Sequence, residues 1–229
     1  DWISVVCCSY LHAASEPATI RLRWKGAAAK EAFEIKPKLY VLAVGVSMYQ
    51  DPDMRLDLAA KDALDFGAAW NEQKGRLYSG VEVRALTDAQ ATKGNILDGL
   101  EWLQRQVTDK DIAVLFFAGH GINDSTGVFY FLPVDADLEK IKRTAISQSD
   151  ITSTVATLAG KVLVFMDACH SGNLMSKVKR RGVVVVSSVI NELASAENGA
   201  VVFSSATGRQ YALDNMEWGN GAFTKGVVE

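Results

Sequence analysis

Two segments of the chain carry the side chains best suited to covalent chemistry. Phe116-Phe117-Ala118-Gly119-His120-Gly121 is an apolar run that ends in small residues around a histidine. Val164-Phe165-Met166-Asp167-Ala168-Cys169-His170-Ser171-Gly172 is a second such run, ending around a cysteine 49 residues after that histidine. A thiol titrates at about 8.5, so an imidazole beside it is needed to raise its thiolate fraction near neutral pH. The same imidazole can then return the proton to a leaving amine. Cys169 is therefore read as a nucleophile and His120 as its general base and acid, each delivered by a buried strand that stops at a turn. Gly119 and Gly121 would let a substrate backbone approach closely. Their amides, with that of Cys169, are donors suited to an oxyanion hole.

Other chemistries fit less well. The chain has 3 histidines, and only His12 and His170 compete with His120. His12 lies in an irregular N-terminal stretch. His170 follows Cys169 directly, so its ring would point away from the thiol. A zinc site from His120, Cys169 and His170 lacks a paired CxxC or HxxxH. No GxxxxGK[ST] or GxGxxG occurs, which argues against a nucleotide site. The net charge is −3, which gives no reason to expect nucleic acid or an anionic membrane as a partner. No apolar run reaches the length of a membrane span, and no basic flank marks a signal peptide. Three cysteines, two of them the adjacent Cys7 and Cys8, make a poor disulfide framework, so a reducing, cytoplasmic setting is expected.

The elements that must hold these side chains can be read from the pattern. Residues 1–36 read as an N-terminal extension or the end of a preceding domain, with one alternating strand at Thr19–Trp24 and an Ala/Lys/Glu linker; residues 37–229 read as the main domain. Continuous apolar runs at Leu39–Val46, Ile112–Ala118 and Lys161–Met166 predict central strands. Val81–Leu86, Val128–Leu132 and Ala200–Ser204 predict further strands. Helical spacing predicts helices over Leu58–Trp70, from a Thr92 cap to Val107, from a cap at Ser149 or Asp150 to Leu158, around Glu192, and from Gly221 onward. Such alternation implies a mainly parallel α/β sheet with helices on both faces and a ligand site at the carboxyl ends of the strands. The chain lacks an initiator Met and stops at Glu229 inside a helical pattern, so a C-terminally truncated segment of a longer, multidomain protein is expected.

These residues resemble the caspase-like superfamily of cysteine peptidases, nearer its bacterial and metacaspase-type members than animal caspases. The resemblance covers about Lys38 to the C-terminus. It rests on Tyr40–Val46, Phe117–Gly121, Phe131-Leu132-Pro133-Val134-Asp135 and Asp167–Gly172. A histidine about 50 residues before the cysteine is itself a caspase feature. The resemblance implies a caspase-hemoglobinase fold with a twisted, mainly parallel sheet. It implies Cys169 as nucleophile, His120 as base and acid, and the N–H groups of Gly121 and Cys169 as the oxyanion hole.

Departures from animal caspases bear on specificity. They carry Gln two residues before the cysteine, in a pocket for an acidic P1 side chain, whereas this chain has Asp167. In metacaspase-like relatives that Asp lines an acidic S1 pocket selecting Arg or Lys, and a partly buried carboxylate attracts a cation by charge-assisted bonding. Asp51 or Asp53 is a second candidate pocket charge, and Ser204 and Ser205 border S1 by the same resemblance. Metacaspases have Ser two before the histidine, where this chain has Ala118. Calcium is the one candidate ion: Asp135, Asp137 and Asp150 could be remnants of such a site, but Ser149 and Ser176 stand where acids are usual, so no cofactor is expected. The basic run Lys177, Lys179, Arg180 and Arg181 beside an acidic pocket is a candidate self-cleavage site. The expected partners are a protein or peptide substrate, flanking domains of a longer chain and, as an option, a second copy in a homodimer. The expected function is a cysteine endopeptidase cutting after Arg or Lys. Its competitors are a non-catalytic caspase-like scaffold, a peptidase of acidic or uncharged P1 preference, and a phospho-acceptor domain using Asp167. Asp214 and Trp218 have no assigned role.

Overall fold

The computed structural model describes residues 2–5, 18–21, 36–169, 187–194, 200–205 and 219–229. The chain divides into two compact units, Asp1–Ile35 and Lys36–Glu229. In the first, β1 (Trp2–Val5) pairs antiparallel with β2 (Ala18–Arg21).

In the second unit the apolar runs become strands and the 3.6-residue patterns become helices. The order is β3 (Lys38–Gly45), α1 (Ala59–Asn71), β4 (Gly80–Thr87), α2 (Lys93–Gln106), β5 (Ile112–Asn123), β6 (Phe129–Phe131), α3 (Ile141–Thr144), β7 (Ile146–Ser147), α4 (Gln148–Thr157), β8 (Lys161–Cys169), α5 (Ser187–Ala194), β9 (Val201–Ser204) and α6 (Ala222–Val228). Among the described residues, β3 to β9 form one seven-stranded sheet. Its body is parallel, in the spatial order β4-β3-β5-β8-β9, and β6 and β7 add antiparallel pairs from the end of β5. The expected caspase-like α/β architecture is present.

Both faces of this sheet are covered, which is why its central strands read as unbroken apolar runs. Val41, Ala43, Val114, Phe116 and Phe165 face α1, with Phe66 of α1 stacked on Phe116 at 4.3 Å. Leu42, Val44, Leu115, Phe117 and Val164 face the opposite way, against Ile96 and Leu103 of α2, Val155 of α4 and Leu193 of α5. Thr92 caps α2 as expected, its hydroxyl accepting from Asn95 N–H at 3.2 Å. The α4 cap differs from expectation by a few residues. Ser147 is the N-cap, and Asp150 closes a capping box by accepting from Ser147 N–H at 2.8 Å.

The larger correction concerns β5. The sequence suggested a strand that stops before an exposed histidine. The strand instead runs through His120 to Asn123, where it pairs with β6. The short hairpin after it is held by Asp124, whose carboxylate accepts from the Thr126 hydroxyl and N–H and from Val128 N–H. Those bonds, Thr126 hydroxyl first, hold the Asp124 carboxyl down at about 2.

The first crossover is tight: a Cβ on Gly45 would lie 2.2 Å from the Ala59 carbonyl oxygen and 2.7 Å from the Ala63 methyl. Gly45→Ala is therefore expected to destabilise the domain by about 3 kcal/mol, since backbone cannot give way as a flexible side chain can. Gly80→Ala, whose Cβ meets only the Lys38 side chain at 3.7 Å, should stay within about 1 kcal/mol. Urea midpoints of the two variants compare them directly.

Candidate active site

The parallel register of β5 and β8 sets the site. Ala118 lies level with Asp167, Gly119 with Ala168, and His120 with Cys169, the last residue of β8. The two residues singled out for chemistry are thus neighbours across one pair of strands, at the carboxyl end of the sheet. The structure places Cys169 at the backbone level; its side chain and His170 lie outside the described detail, as do Lys177, Lys179, Arg180, Arg181, Ser176, Asp214 and Trp218.

His120 is only 4% exposed. Its Nε2 lies 2.7 Å from the Met54 carbonyl oxygen. A carbonyl only accepts, so Nε2 carries the proton and the acceptor lone pair of the neutral ring sits on Nδ1. Burial lowers the His120 pKa below the ordinary 6.5, with the Met54 carbonyl working in the opposite direction. Tyr49 stacks on the ring, with centroids 4.8 Å apart. Tyr49 Oη accepts from His120 N–H at 2.9 Å and donates to the Leu132 carbonyl at 3.0 Å. Burial pushes the Tyr49 hydroxyl pKa up, so it stays a neutral phenol.

The loop that supplies Tyr49 and Met54 is fixed at both ends. Ser47 and Met48 N–H donate to Asp88 Oδ1 at 2.7 and 2.8 Å. Asp88 itself sits at φ +43°, a left-handed conformation that Asp tolerates better than most residues. Ser47 also accepts Ala60 N–H on its hydroxyl and Leu56 N–H on its carbonyl. Sequence reasoning missed Tyr49, Met54 and Asp88. Met54 acts through its carbonyl, so its side-chain type carries no signal. An acid directly after the β4 pattern was the only available mark of Asp88.

The glycines around His120 make room for side chains of the protein itself. A Cβ on Gly119, at φ +153°, would lie 2.8 Å from Tyr49 Oη, and one on Gly121 would lie 2.4 Å from the Phe129 ring. The space is filled by the protein's own aromatics. The amide of Gly121 still suits an oxyanion. Leu132 N–H donates to His120 C=O and Asp124 N–H to Val128 C=O, so even-numbered residues of β5 bond toward β6. Alternation turns Gly121 N–H the other way, toward the side on which β8 ends.

Asp167 is buried, at 9% exposed. Strand alternation puts it on the face of Phe165, against which α1 packs. A second buried acid, Asp62, at 2% exposed, stands in the first turn of α1 and so at the same carboxyl end of the sheet. It accepts from Asn220 Nδ2 at 2.8 Å and from Gly221 N–H. Its apolar-helix setting hid it in the sequence. Asp51 caps the turn at Pro52–Met54 by accepting Asp53 N–H at 3.0 Å. Ser204 ends β9 level with Met166, and Ser205, just past that end, donates its N–H to the Met166 carbonyl at 3.2 Å, beside the strand that carries Asp167.

The acids considered for calcium are engaged separately. Asp135 accepts from Lys93 N–H, Asp137 pairs with Lys140, and Asp150 belongs to the α4 cap. Among the described residues, no three His, Cys, Asp or Glu side chains group to hold a metal ion. Among them, too, no helix is long and apolar enough to cross a membrane.

A mainly parallel sheet that sets a histidine level with a cysteine at its carboxyl edge has the architecture of a caspase-like α/β domain. The caspase-domain model of peptidase family C14 matches residues 38–229, and the chain belongs to that family. The chain is also similar in fold to a crystal structure of a protein from Geobacter sulfurreducens, at 22% identity and a TM-score of 0.57 over 82% of this chain and 79% of that one. No curated protein matches the chain.

The burial of His120 has a consequence for stability. Between the ordinary histidine value of 6.5 and the lower value in the fold, the unfolded chain binds a proton that the folded chain does not. The neutral, buried ring therefore costs nothing above that window, and stability falls as pH drops through it. Urea midpoints at about pH 7.5 and about pH 5.5 should show this fall, and His120→Gln should reduce it.

Proposed function

We propose that this peptidase-family domain is a cysteine endopeptidase that cuts after Arg or Lys through an acyl-enzyme on Cys169. The observation that carries the proposal is the β5–β8 register, which sets His120 level with Cys169 while the Met54 carbonyl holds the ring in its Nε2–H tautomer.

In this scheme Nδ1 takes the thiol proton, and the Cys169 sulfur forms a bond to the scissile carbonyl carbon. Charge that gathers on the carbonyl oxygen is met by the N–H groups of Gly121 and Cys169. Collapse breaks the C–N bond, and the imidazolium delivers its proton to the leaving amine. Water then attacks the thioester with the same base. The lowered His120 pKa keeps the base neutral at physiological pH.

Asp167 is the proposed selector for a basic P1 side chain, with Ser204, Ser205 and Asp51 as further S1 candidates. Its support is burial: a carboxylate taken out of water gains more from a guanidinium or ammonium partner than an exposed one does. Asp62 adds a second buried carboxyl group at the same end of the sheet. Lys177, Lys179, Arg180 and Arg181 are the proposed sites of cleavage in cis.

The purified chain is expected to hydrolyse fluorogenic Arg and Lys peptides in preference to Asp and Ala peptides, and Cys169→Ala should lower turnover roughly 10⁴-fold or more. Asp167→Ala should cut the preference for Arg roughly 10- to 100-fold. Intact mass should show cuts within 177–181 in the active form alone. Silence of the wild type with and without calcium would favour a scaffold, and activity confined to Asp peptides would overturn the role given to Asp167.

A further inference from the structure

The hydrogen-bond ladder between β5 and β6 contains a group that belongs to neither strand. The register pairs Gly121 with Phe131 and Ile122 with Tyr130, which makes His120 and Leu132 the next opposed pair. Opposed residues of this kind exchange two bonds, N–H to C=O in each direction. One is present: Leu132 N–H donates to the His120 carbonyl at 2.9 Å. In place of the other, the Tyr49 hydroxyl stands in the gap, accepting from His120 N–H at 2.9 Å and donating to the Leu132 carbonyl at 3.0 Å. The phenol is spliced into the ladder.

The surroundings are shaped for it. Gly119 leaves out the Cβ that would meet the hydroxyl at 2.8 Å. The Tyr49 ring lies on the imidazole at an interplanar angle of 29°. Its backbone is anchored from the other side, because Asp88 binds the N–H groups of Ser47 and Met48 immediately before it. Tyr49 thus grips His120 twice, by the amide through its oxygen and by the ring through its face. The loop that carries Tyr49 also brings the Met54 carbonyl to Nε2.

We propose that Tyr49 is a positioning residue for His120, held in place by Asp88, and that its hydroxyl, through the His120 backbone N–H, keeps the imidazole against the Met54 carbonyl that fixes its tautomer. The proposal rests on His120 being the general base of the peptidase. It adds a residue that acts only through His120 and need not touch substrate.

Tyr49→Phe keeps the ring and removes the splice. In that variant, amide exchange at His120 should quicken while exchange at Leu42 and Val114 stays slow, and the ring ¹⁵N shifts should move from a pure Nε2–H tautomer toward a mixture. On Arg peptides kcat should fall roughly 10-fold with KM little changed, because orientation of a base affects the chemical step rather than binding. Asp88→Gly guards against a folding defect in the first variant: glycine relieves the positive φ while releasing Tyr49, and the same exchange and shift changes are expected. Asp88→Asn keeps an acceptor for both N–H groups and should behave as wild type. Unchanged His120 exchange or ring shifts in Tyr49→Phe would overturn the proposal, as would altered exchange with unaltered kcat. The two NMR readouts do not need turnover. A wild type that cleaves nothing would sink the peptidase proposal, and the ring shifts would still decide whether Tyr49 sets His120.

Discussion

β5 is shared among three neighbouring strands, and each shares it over a different length. β3 pairs with it as far as Ala118, β8 as far as His120, and β6 only from Gly121 onward. The site lies in the interval where these partners change. A residue inside a continuous sheet has its backbone bonds fixed and its side chain packed, and it presents little to a ligand. A residue past the sheet is presentable but loosely held. His120 keeps the rigidity of the first setting on one side, where its strand still pairs with β8, while the other side has passed beyond β3. The lost backbone partner has to be replaced, since a buried N–H without an acceptor costs about 1–3 kcal/mol. That need explains why a tyrosine hydroxyl sits in the ladder.

The same interval explains the state of the imidazole. Burial disfavours the charged ring, and the Met54 carbonyl fixes which nitrogen bears the proton. A neutral, buried imidazole held through Nε2 has Nδ1 as its acceptor. The holding groups come from a loop after β3 that has no regular structure apart from the turn at Pro52–Met54. Its rigidity comes from hydrogen bonds made to Asp88 at the end of β4 and to Ser47 at its own start. Two neighbouring parallel strands and their crossovers therefore converge on one side chain.

Much of this was legible in the sequence, for a definite reason. Strands covered on both faces must be apolar at every position, so β3, β5 and β8 announced themselves, and the register then sets His120 level with Cys169. Helix α2 was legible from Thr92 and its apolar stripe. What the pattern concealed was how β5 ends. Gly119-His120-Gly121 looks like a turn because glycines usually mark one, yet here they are omissions of Cβ that make room for Tyr49 and Phe129. Those partners are separated from the glycines by some 70 residues in one case and by a hairpin in the other, and no local rule links them. The Met54 carbonyl and the Asp88 cap were hidden for a related reason. Backbone acceptors have no residue signature, and a single acid after a strand has many uses.

The buried acids follow a common logic. Asp62, Asp111 and Asp124 each accept from backbone N–H groups. For Asp111 and Asp124 such donors favour the ionised carboxylate and offset part of its desolvation. Asp62 is the telling case, because its donors include Gly221 N–H, at the start of α6, and its place in the first turn of α1 follows from topology. In a parallel sheet every strand hands over to its crossover at the carboxyl edge, so the first turn of the following helix returns beside that edge. The bond from Asp62 to Gly221 therefore ties the C-terminal helix to the same end of the sheet as His120 and Cys169. The chain's C-terminal helix and its first crossover meet at the edge where β5 and β8 set His120 level with Cys169.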